Sequence, residues 1–290
     1  MAPTKRLIAE PFTSPCTAHG EGPVWDPALA SLLCVDLFAG EVLRVDPVTA
    51  QVCRRTVGRI AGCVRPRARG GVVVAVEQGF ALLDADGTPH ALPPVWRDPA
   101  VRMNDGACDP AGNFWCGSMD RDGARGRGAL YRLDPAGGVR TILTDVGISN
   151  GLAFSRDGAS AYYVDSLTQR VDVLRLDPET GEVQGREPFV TIAPNEGIPD
   201  GIAVDAEGGL WVALYQGSAV RRYLADGTLD VVVEIAARLV TACAFGGPEL
   251  DELYVTTSRE GLGDRAEAQA GAVFRVSPGV RGRVEPVFAG

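Results

Sequence analysis

The sequence predicts an all-β protein, a six-bladed β-propeller with four-stranded antiparallel blades around a central channel. Two observations lead to this prediction: short apolar strands alternate with tight turns, and one sequence pattern recurs six times along the chain. The 36 glycines and 20 prolines are scattered through the 290 residues, as a fold made of many short elements requires. No linker of changed composition interrupts the series, so we expect a single domain over residues 1–290.

Each repeat begins with a polar or small residue, continues as an apolar strand, and reaches a second strand after a turn with Asp, Pro or Gly. The six starting positions are Glu21, Gly62, Asn104, Asn150, Asp200 and Thr241. They are spaced by roughly 40–50 residues, a period typical of propeller blades. Two β-sandwiches of about half the chain each are the alternative, but the regular period favours the propeller.

The two ends of the chain are expected to meet. The segment Arg6 to Glu10 has the length and apolar character of an outer strand for the last blade. Pairing it there would close the ring and leave only short, protected sheet edges.

Charge and hydropathy exclude several classes of function. The net charge of −9 provides no basic surface for phosphates, so we expect no nucleic-acid partner. The apolar stretches are strand-sized, well below the ~20 residues that cross a bilayer, and no charged-then-apolar leader opens the chain. We therefore expect a cytoplasmic protein without a membrane partner, and nothing in the sequence indicates a protein partner.

The cysteines and histidines limit the available chemistry. Seven cysteines, an odd number without CxxC pairs, indicate neither a disulfide framework nor a zinc knuckle. Two histidines, His19 and His90, are too few for a histidine-rich metal site and do not favour a Ser-His-Asp triad. Any catalysis must depend mainly on oxygen ligands.

The first positions of the repeats form the candidate site. In a propeller, the first strand of each blade lines the channel, so Glu21, Asn104, Asn150 and Asp200 should converge although they are distant in sequence. Asn or Asp before Gly also begins ordinary turns, which is the simpler explanation for any one of them. Glu is not a turn former, however, and the four together suit a divalent cation: calcium, zinc, manganese, magnesium or ferrous iron.

Several motifs carry a family resemblance. They are Gly20-Glu-Gly-Pro-Val-Trp25, Arg102-Met-Asn-Asp-Gly106, Trp115-Cys-Gly-Ser-Met119, Ile148-Ser-Asn-Gly-Leu152, Tyr163-Val-Asp-Ser166, Pro199-Asp-Gly-Ile202 and Phe245-Gly-Gly-Pro248. In their order and spacing the chain resembles the senescence marker protein/gluconolactonase family of regucalcin-like lactonases. The resemblance implies one divalent metal held by Glu21, Asn150 and Asp200, with Arg102 and Asn104 contacting the substrate. The usual activity in that family is hydrolysis of sugar lactones.

We therefore expect a metal-dependent lactonase, a hydrolase of carbohydrate metabolism that opens an aldonolactone to its aldonic acid. Asp200 is the nearest carboxylate that can accept a proton from the attacking water. The chain has Gly117-Ser-Met where many relatives have Gly-Thr-Met, and the Asp120 that follows is our candidate for the distal sugar hydroxyls, although it also fits an ordinary loop charge. The alternatives are hydrolysis of other esters, non-sugar lactones or phosphotriesters, and a non-catalytic metal- or ligand-binding propeller.

Overall fold

The structure is a computed structural model that describes residues 4–177 and 179–290. These residues form an all-β, propeller-like arrangement of 25 strands with three short 3₁₀ turns, Ser166–Thr168, Pro194–Glu196 and Gly263–Arg265. Helical segments long and apolar enough to cross a bilayer are absent from this part of the chain.

The chain begins with two short strands, β1 (Lys5–Ile8) and β2 (Glu10–Pro11). Four antiparallel sheets of four strands each follow. The first is β3 (Gly20–Asp26), β4 (Ser31–Asp36), β5 (Glu41–Val45) and β6 (Val52–Thr56); the second is β7 (Ala61–Pro66), β8 (Val72–Val76), β9 (Gly79–Leu83) and β10 (Pro89–Ala91). The third is β11 (Val101–Cys108), β12 (Phe114–Asp120), β13 (Gly128–Leu133) and β14 (Val139–Val146); the fourth is β15 (Ser149–Phe154), β16 (Ser160–Asp165), β17 (Arg170–Leu176) and β18 (Val183–Thr191).

The prediction of six separate four-stranded blades is wrong, because four sheets have this form in the described residues. The remaining strands belong to one nine-stranded sheet. It contains β1, β2, β19 (Ile198–Val204), β20 (Leu210–Tyr215), β21 (Ala219–Tyr223), β22 (Leu229–Glu234), β23 (Leu239–Gly246), β24 (Glu252–Ser258) and β25 (Phe274–Val276). The sheet is continuous because Tyr215 of β20 pairs with Leu239 of β23. One backbone pair between two strand ends has no sequence pattern, so the sequence could not predict that these strands join.

The N-terminal segment also differs from the expectation. Strand β1 pairs in parallel with β22, from Lys5 opposite Val231 onward, whereas only the two-residue β2 pairs antiparallel with β25. The predicted strand from Arg6 to Glu10 is therefore divided between two neighbours. Ala9, which is buried and donates its N–H to Glu234 O, separates the two parts.

The innermost strands position the site. Strands β3, β7, β11, β15, β19 and β23 each contact the next, and β23 contacts β3, so they form a closed ring. Outside the ring, large apolar side chains fill the space between strands. Trp115 and Trp211 are almost completely buried, and each donates its indole N–H to the aspartate six positions earlier, Asp109 and Asp205, at 2.7 and 2.9 Å. This repeated Asp–Trp contact satisfies the one polar group that each tryptophan buries.

Candidate functional site

The ring brings the predicted residues to one place. Glu21, Arg102, Asn104, Asn150 and Asp200 line a single cavity of about 250 Å³. Each comes from the first strand of its repeat, β3, β11, β15 or β19, and each is at most 6% exposed. Residues up to about 180 positions apart in sequence thus meet because the ring places equivalent strand positions side by side.

A β-bulge lies at four of these residues, and Arg102 is in regular strand pairing. The register of strand pairing shifts between Glu21 and Val24 in β3, and shifts again at Asn104, Asn150 and Asp200 in their strands. Bulges commonly re-aim a side chain next to an active site. The Asn-Gly and Asp-Gly pairs are therefore bulges within strands, and the simpler interpretation as turns does not hold.

The glycine after two of these residues is required by close packing of the inner strands. A Cβ atom on Gly151 would lie 2.6 Å from Asp200 O, and one on Gly201 would lie 2.3 Å from the Ala242 Cβ. A larger residue at either position would push neighbouring strands of the ring apart. The same tight packing holds Asn150 and Asp200 close to each other.

Asp200 is the least satisfied acid in the site. Its Oδ1 atom is buried and has no hydrogen-bond partner among the described residues. Burial raises the pKa of this carboxyl well above its usual range, and the negative charges of Glu21 and Asp105 raise it further. Glu21 is 3% exposed, and its Oε2 accepts the N–H of Gly22 at 3.1 Å. Two carboxylates in one buried cavity are costly unless a cation compensates them.

The amides are held by a chain of hydrogen bonds. Arg102 Nη1 donates to Asn104 Oδ1 at 2.6 Å, and Asn104 Nδ2 donates to Asn150 Oδ1 at 3.2 Å. Asn150 Nδ2 donates to Ser166 Oγ at 3.0 Å, and Ser166 Oγ donates to Pro199 O at 2.7 Å. This chain fixes the orientation of both amide groups, so the oxygen of Asn150 has a defined position.

His19 lies beside the acidic side of the cavity. Its Nε2 is 3.6 Å from Glu21 Oε1, and its Nδ1 is 3.1 Å from Glu260 Oε2 and 2.9 Å from Ser258 Oγ. Burial lowers the pKa of His19, but hydrogen bonds with Glu21 and Glu260 outweigh burial and raise it overall. Glu260 follows β24 on a loop, and the sequence contained no repeat position that would have revealed it.

The structure does not bring Asp120 to the cavity. Its Oδ1 accepts the N–H of Asp122 at 2.9 Å, and its Oδ2 lies 3.2 Å from Arg127 Nε. The neighbours Met119 and Arg121 line the cavity instead. Successive residues of a strand face opposite sides of the sheet, so Asp120 faces away from the side that Met119 and Arg121 share. Strand alternation from Met119 would have indicated Arg121, which the sequence analysis missed.

The donor set fits a divalent cation. Within the described residues no group of three or more His, Cys, Asp or Glu side chains forms a metal site, and the cavity instead combines acidic with amide side chains. Glu21, Asn150 and Asp200 provide carboxylate and amide oxygens, the ligands that hard cations prefer. The partnerless Oδ1 of Asp200 is the atom such an ion would satisfy.

The chain is similar to known proteins over most of its length. Residues 19–259 match the family model described as the SMP-30/gluconolactonase/LRE-like region. The chain is 39% identical over 274 residues to pentonolactonase XacC of Haloferax volcanii, covering 92% of this chain and 93% of that protein. It is 37% identical over 283 residues to regucalcin of Xenopus laevis, covering 93% and 95%. The crystal structure of a calcium-binding protein, regucalcin, from Agrobacterium tumefaciens superposes with a TM-score of 0.92 at 29% identity, covering 99% of both chains. The chain belongs to the SMP-30/gluconolactonase/LRE-like family.

Proposed function

We propose that this protein is a divalent-metal-dependent lactonase that hydrolyses a sugar lactone to the corresponding aldonic acid. The observation that carries the proposal is the buried Oδ1 of Asp200, which has no hydrogen-bond partner among the described residues and lies in a cavity with Glu21 and Asn150. These three residues are the proposed metal ligands. The similarity to a pentonolactonase over almost the whole chain supports the reaction type.

The proposed roles follow from the charges and positions of the side chains. When bound, a divalent cation keeps both carboxylates ionised and polarises the lactone carbonyl. Asp200 accepts a proton from water as the oxygen of that water attacks the carbonyl carbon. The same proton passes to the ring oxygen when the ring C–O bond breaks, which leaves the hydroxy acid.

Arg102 and Asn104 position the substrate. Only Nη1 of Arg102 makes hydrogen bonds within the described residues, to Asn104 Oδ1 and Met103 O. Its Nη2 is therefore available to a substrate oxygen. Guanidinium groups bind carboxylates and vicinal oxygens in a planar geometry. The amide of Asn104 is fixed by Arg102 and Ser149 O, so it presents a defined edge to the cavity.

The proposal is tested by metal-free protein reconstituted separately with calcium, zinc, manganese, magnesium and ferrous iron. Proton release is followed on pentono- and hexonolactones, with the spontaneous hydrolysis subtracted. At least one metal should restore hydrolysis above this background, and a chelator should abolish it. The control is Asp264→Asn, an exposed acid outside the cavity, which should behave as wild type.

Two results would contradict the proposal. Activity that follows the leaving group of simple esters, with no dependence on lactone hydroxyls, would indicate a different ester hydrolase. Metal binding by the intact protein, without turnover of any lactone or ester, would indicate a non-catalytic binding protein.

A further inference from the structure

We propose that the lactone hydrolysed here carries an anionic substituent, a carboxylate or a phosphate, which binds between Arg102 and Arg121. This inference rests on the proposed lactonase function and specifies its substrate class. Both arginines line the cavity that contains Glu21, Asn150 and Asp200.

The two arginines come from one antiparallel strand pair. Arg102 of β11 is directly opposite Met119 of β12. Arg121 lies two residues beyond Met119, and its N–H donates to Ala100 O at 2.8 Å, so the pairing continues past the end of β12. Residues two apart on a strand share a face, and diagonal neighbours across a strand pair are within reach of long side chains. Arg102 and Arg121 therefore face the cavity as neighbours.

Neither guanidinium has an acidic partner of its own. In the described residues, Arg102 and Arg121 donate hydrogen bonds to backbone oxygens and to one amide oxygen, and to no carboxylate. Arg121 Nε donates to Pro99 O at 2.9 Å, which anchors the side chain, and its two Nη atoms make no hydrogen bond to any described residue. Arg121 thus presents an anchored guanidinium edge to the ligand space.

The surroundings of Arg102 disfavour its positive charge. Burial lowers the pKa of Arg102 to about 10; the charges of Glu21, Glu260 and Asp200 oppose this shift, and the positive charge of Arg121 adds to it. Arg102 is buried and Arg121 is exposed, and two like charges beside one cavity repel each other, less strongly where solvent screens them. An anion between them would reverse that repulsion and accept charge-assisted hydrogen bonds from both groups.

The acids that line the cavity have other partners than the two arginines. Glu21 and Asp200 belong to the proposed metal ligands, and Glu260 lies 3.1 Å from His19 Nδ1. The volume of about 250 Å³ is slightly below the range of about 300–1,000 Å³ for drug-sized ligands. The cavity is therefore suited to one small ring, with its reacting carbonyl at the acidic side and its anionic substituent at the arginines.

The experiment compares three lactones of similar size on the metal-loaded protein: neutral gluconolactone, a glucaric acid monolactone with a carboxylate, and 6-phosphogluconolactone. We expect at least one anionic lactone to have a kcat/KM about tenfold or more above that of the neutral one, since hydrogen bonds between charged groups discriminate by about this factor. Arg121→Gln should remove most of that preference, mainly through KM, and lower kcat/KM for the anionic lactone far more than for the neutral one. The matched control is Arg125→Gln, an exposed arginine of the same segment that does not line the cavity.

A binding measurement provides a second readout. Calorimetry with the glucarate dianion should show binding that weakens with rising salt and that Arg121→Gln reduces by about tenfold. Efficient hydrolysis of neutral lactones, without preference for either anion and without an effect of Arg121→Gln, would overturn this inference and leave the lactonase proposal intact. Failure to hydrolyse any of the three lactones would overturn both.

Discussion

The side-chain amides of Asn104 and Asn150 are joined by a hydrogen bond in which Asn104 Nδ2 donates to Asn150 Oδ1 over 3.2 Å. The bond connects a proposed substrate contact to a proposed metal ligand. Asn150 is also held from its other side, because its Nδ2 donates to Ser166 Oγ at 3.0 Å. Its oxygen thus keeps one of two anchors if Asn104 is removed.

Asn104→Ala is therefore expected to weaken metal affinity without abolishing metal binding. Loss of a group that orients a metal ligand costs about 10–100-fold in affinity or activity. Metal content should reach the wild-type level at saturating metal, while kcat/KM stays reduced. Metal titration by calorimetry and lactone kinetics would measure both effects, with the exposed Gln51→Ala as the control. Complete loss of the metal would instead make Asn104 a ligand.

Asp200→Asn should separate metal binding from folding. The substitution removes a buried carboxylate whose Oδ1 has no partner in the described residues, so we expect loss of metal binding and of hydrolysis. The metal-free variant should be at least as stable as metal-free wild type, because an uncompensated buried charge is destabilising. Elemental analysis measures the loss of metal, and urea unfolding in chelator measures the stability of the metal-free variant. Retained metal with full turnover would exclude Asp200 from both roles.

Much of the site could be predicted because the repeat period specifies equivalent strand positions. Glu21, Asn150 and Asp200 have no local pattern in common beyond a following glycine, yet the ring of inner strands places all three in one cavity. The period did not reveal where one sheet joins the next. The pairing of Tyr215 with Leu239, which merges two groups of strands, depends on the closeness of two strand ends and not on any residue type.

Asp120 is a different case. It ends β12, between Met119 and Arg121, which both line the cavity. Strand alternation places Arg121, and not Asp120, on the face of Met119. Glu260 was missed for lack of any signal, because it follows β24 on a loop outside the repeat pattern.

Asp105→Asn should flatten the pH dependence of stability in the metal-free protein. Burial raises the pKa of Asp105 from 3.8 to about 6; Arg65 opposes this shift and Glu21 adds to it. The folded state therefore binds this proton more tightly than the unfolded state. The stability that the protonated acid contributes is complete below pH 3.8 and is lost as pH rises through about 6.

The measurement is the free energy of unfolding by urea in chelator between pH 4 and 7. Wild type should lose on the order of 2–3 kcal/mol over this range from this group, at about 1.4 kcal/mol per pKa unit. Asp105→Asn should lose correspondingly less, whereas the exposed control Asp264→Asn should follow wild type. Parallel curves for Asp105→Asn and wild type would show that Asp105 titrates as an ordinary surface acid.

Thiol reactivity should identify one accessible cysteine in the native protein. All seven cysteines are free, Cys53 is exposed, Cys16 is partly buried, and the other five are buried. Burial raises the pKa of the Cys63 thiol to about 12, so its reactive thiolate is scarce at neutral pH. We expect one thiol to react rapidly with a disulfide reagent and Cys53→Ser to remove that phase. Cys63→Ser, which replaces a buried cysteine, is the control and should leave the fast phase unchanged. Fast labelling of several thiols in wild type would contradict the burial of the other cysteines.

The C-terminal segment is expected to stabilise the fold without taking part in catalysis. Phe288 is 1% exposed and packs in a cluster with Met103, Phe114 and Leu133. Its N–H donates to Pro66 O at 2.9 Å, so the segment is also fixed through its backbone.

Phe288→Ala should lower the free energy of unfolding by about 3–5 kcal/mol, the usual cost of emptying a buried aromatic site. Val284→Ala, a truncation of an exposed side chain in the same segment, should change it by less than about 0.5 kcal/mol. Because Phe288 does not line the cavity, kcat/KM should stay near wild type at temperatures where the variant is folded. Urea unfolding and lactone kinetics on both variants would measure this difference. Equal stability of the two variants would mean that the segment does not dock on β7 and β11 in solution, and a selective loss of kcat/KM in Phe288→Ala would connect this contact to the site.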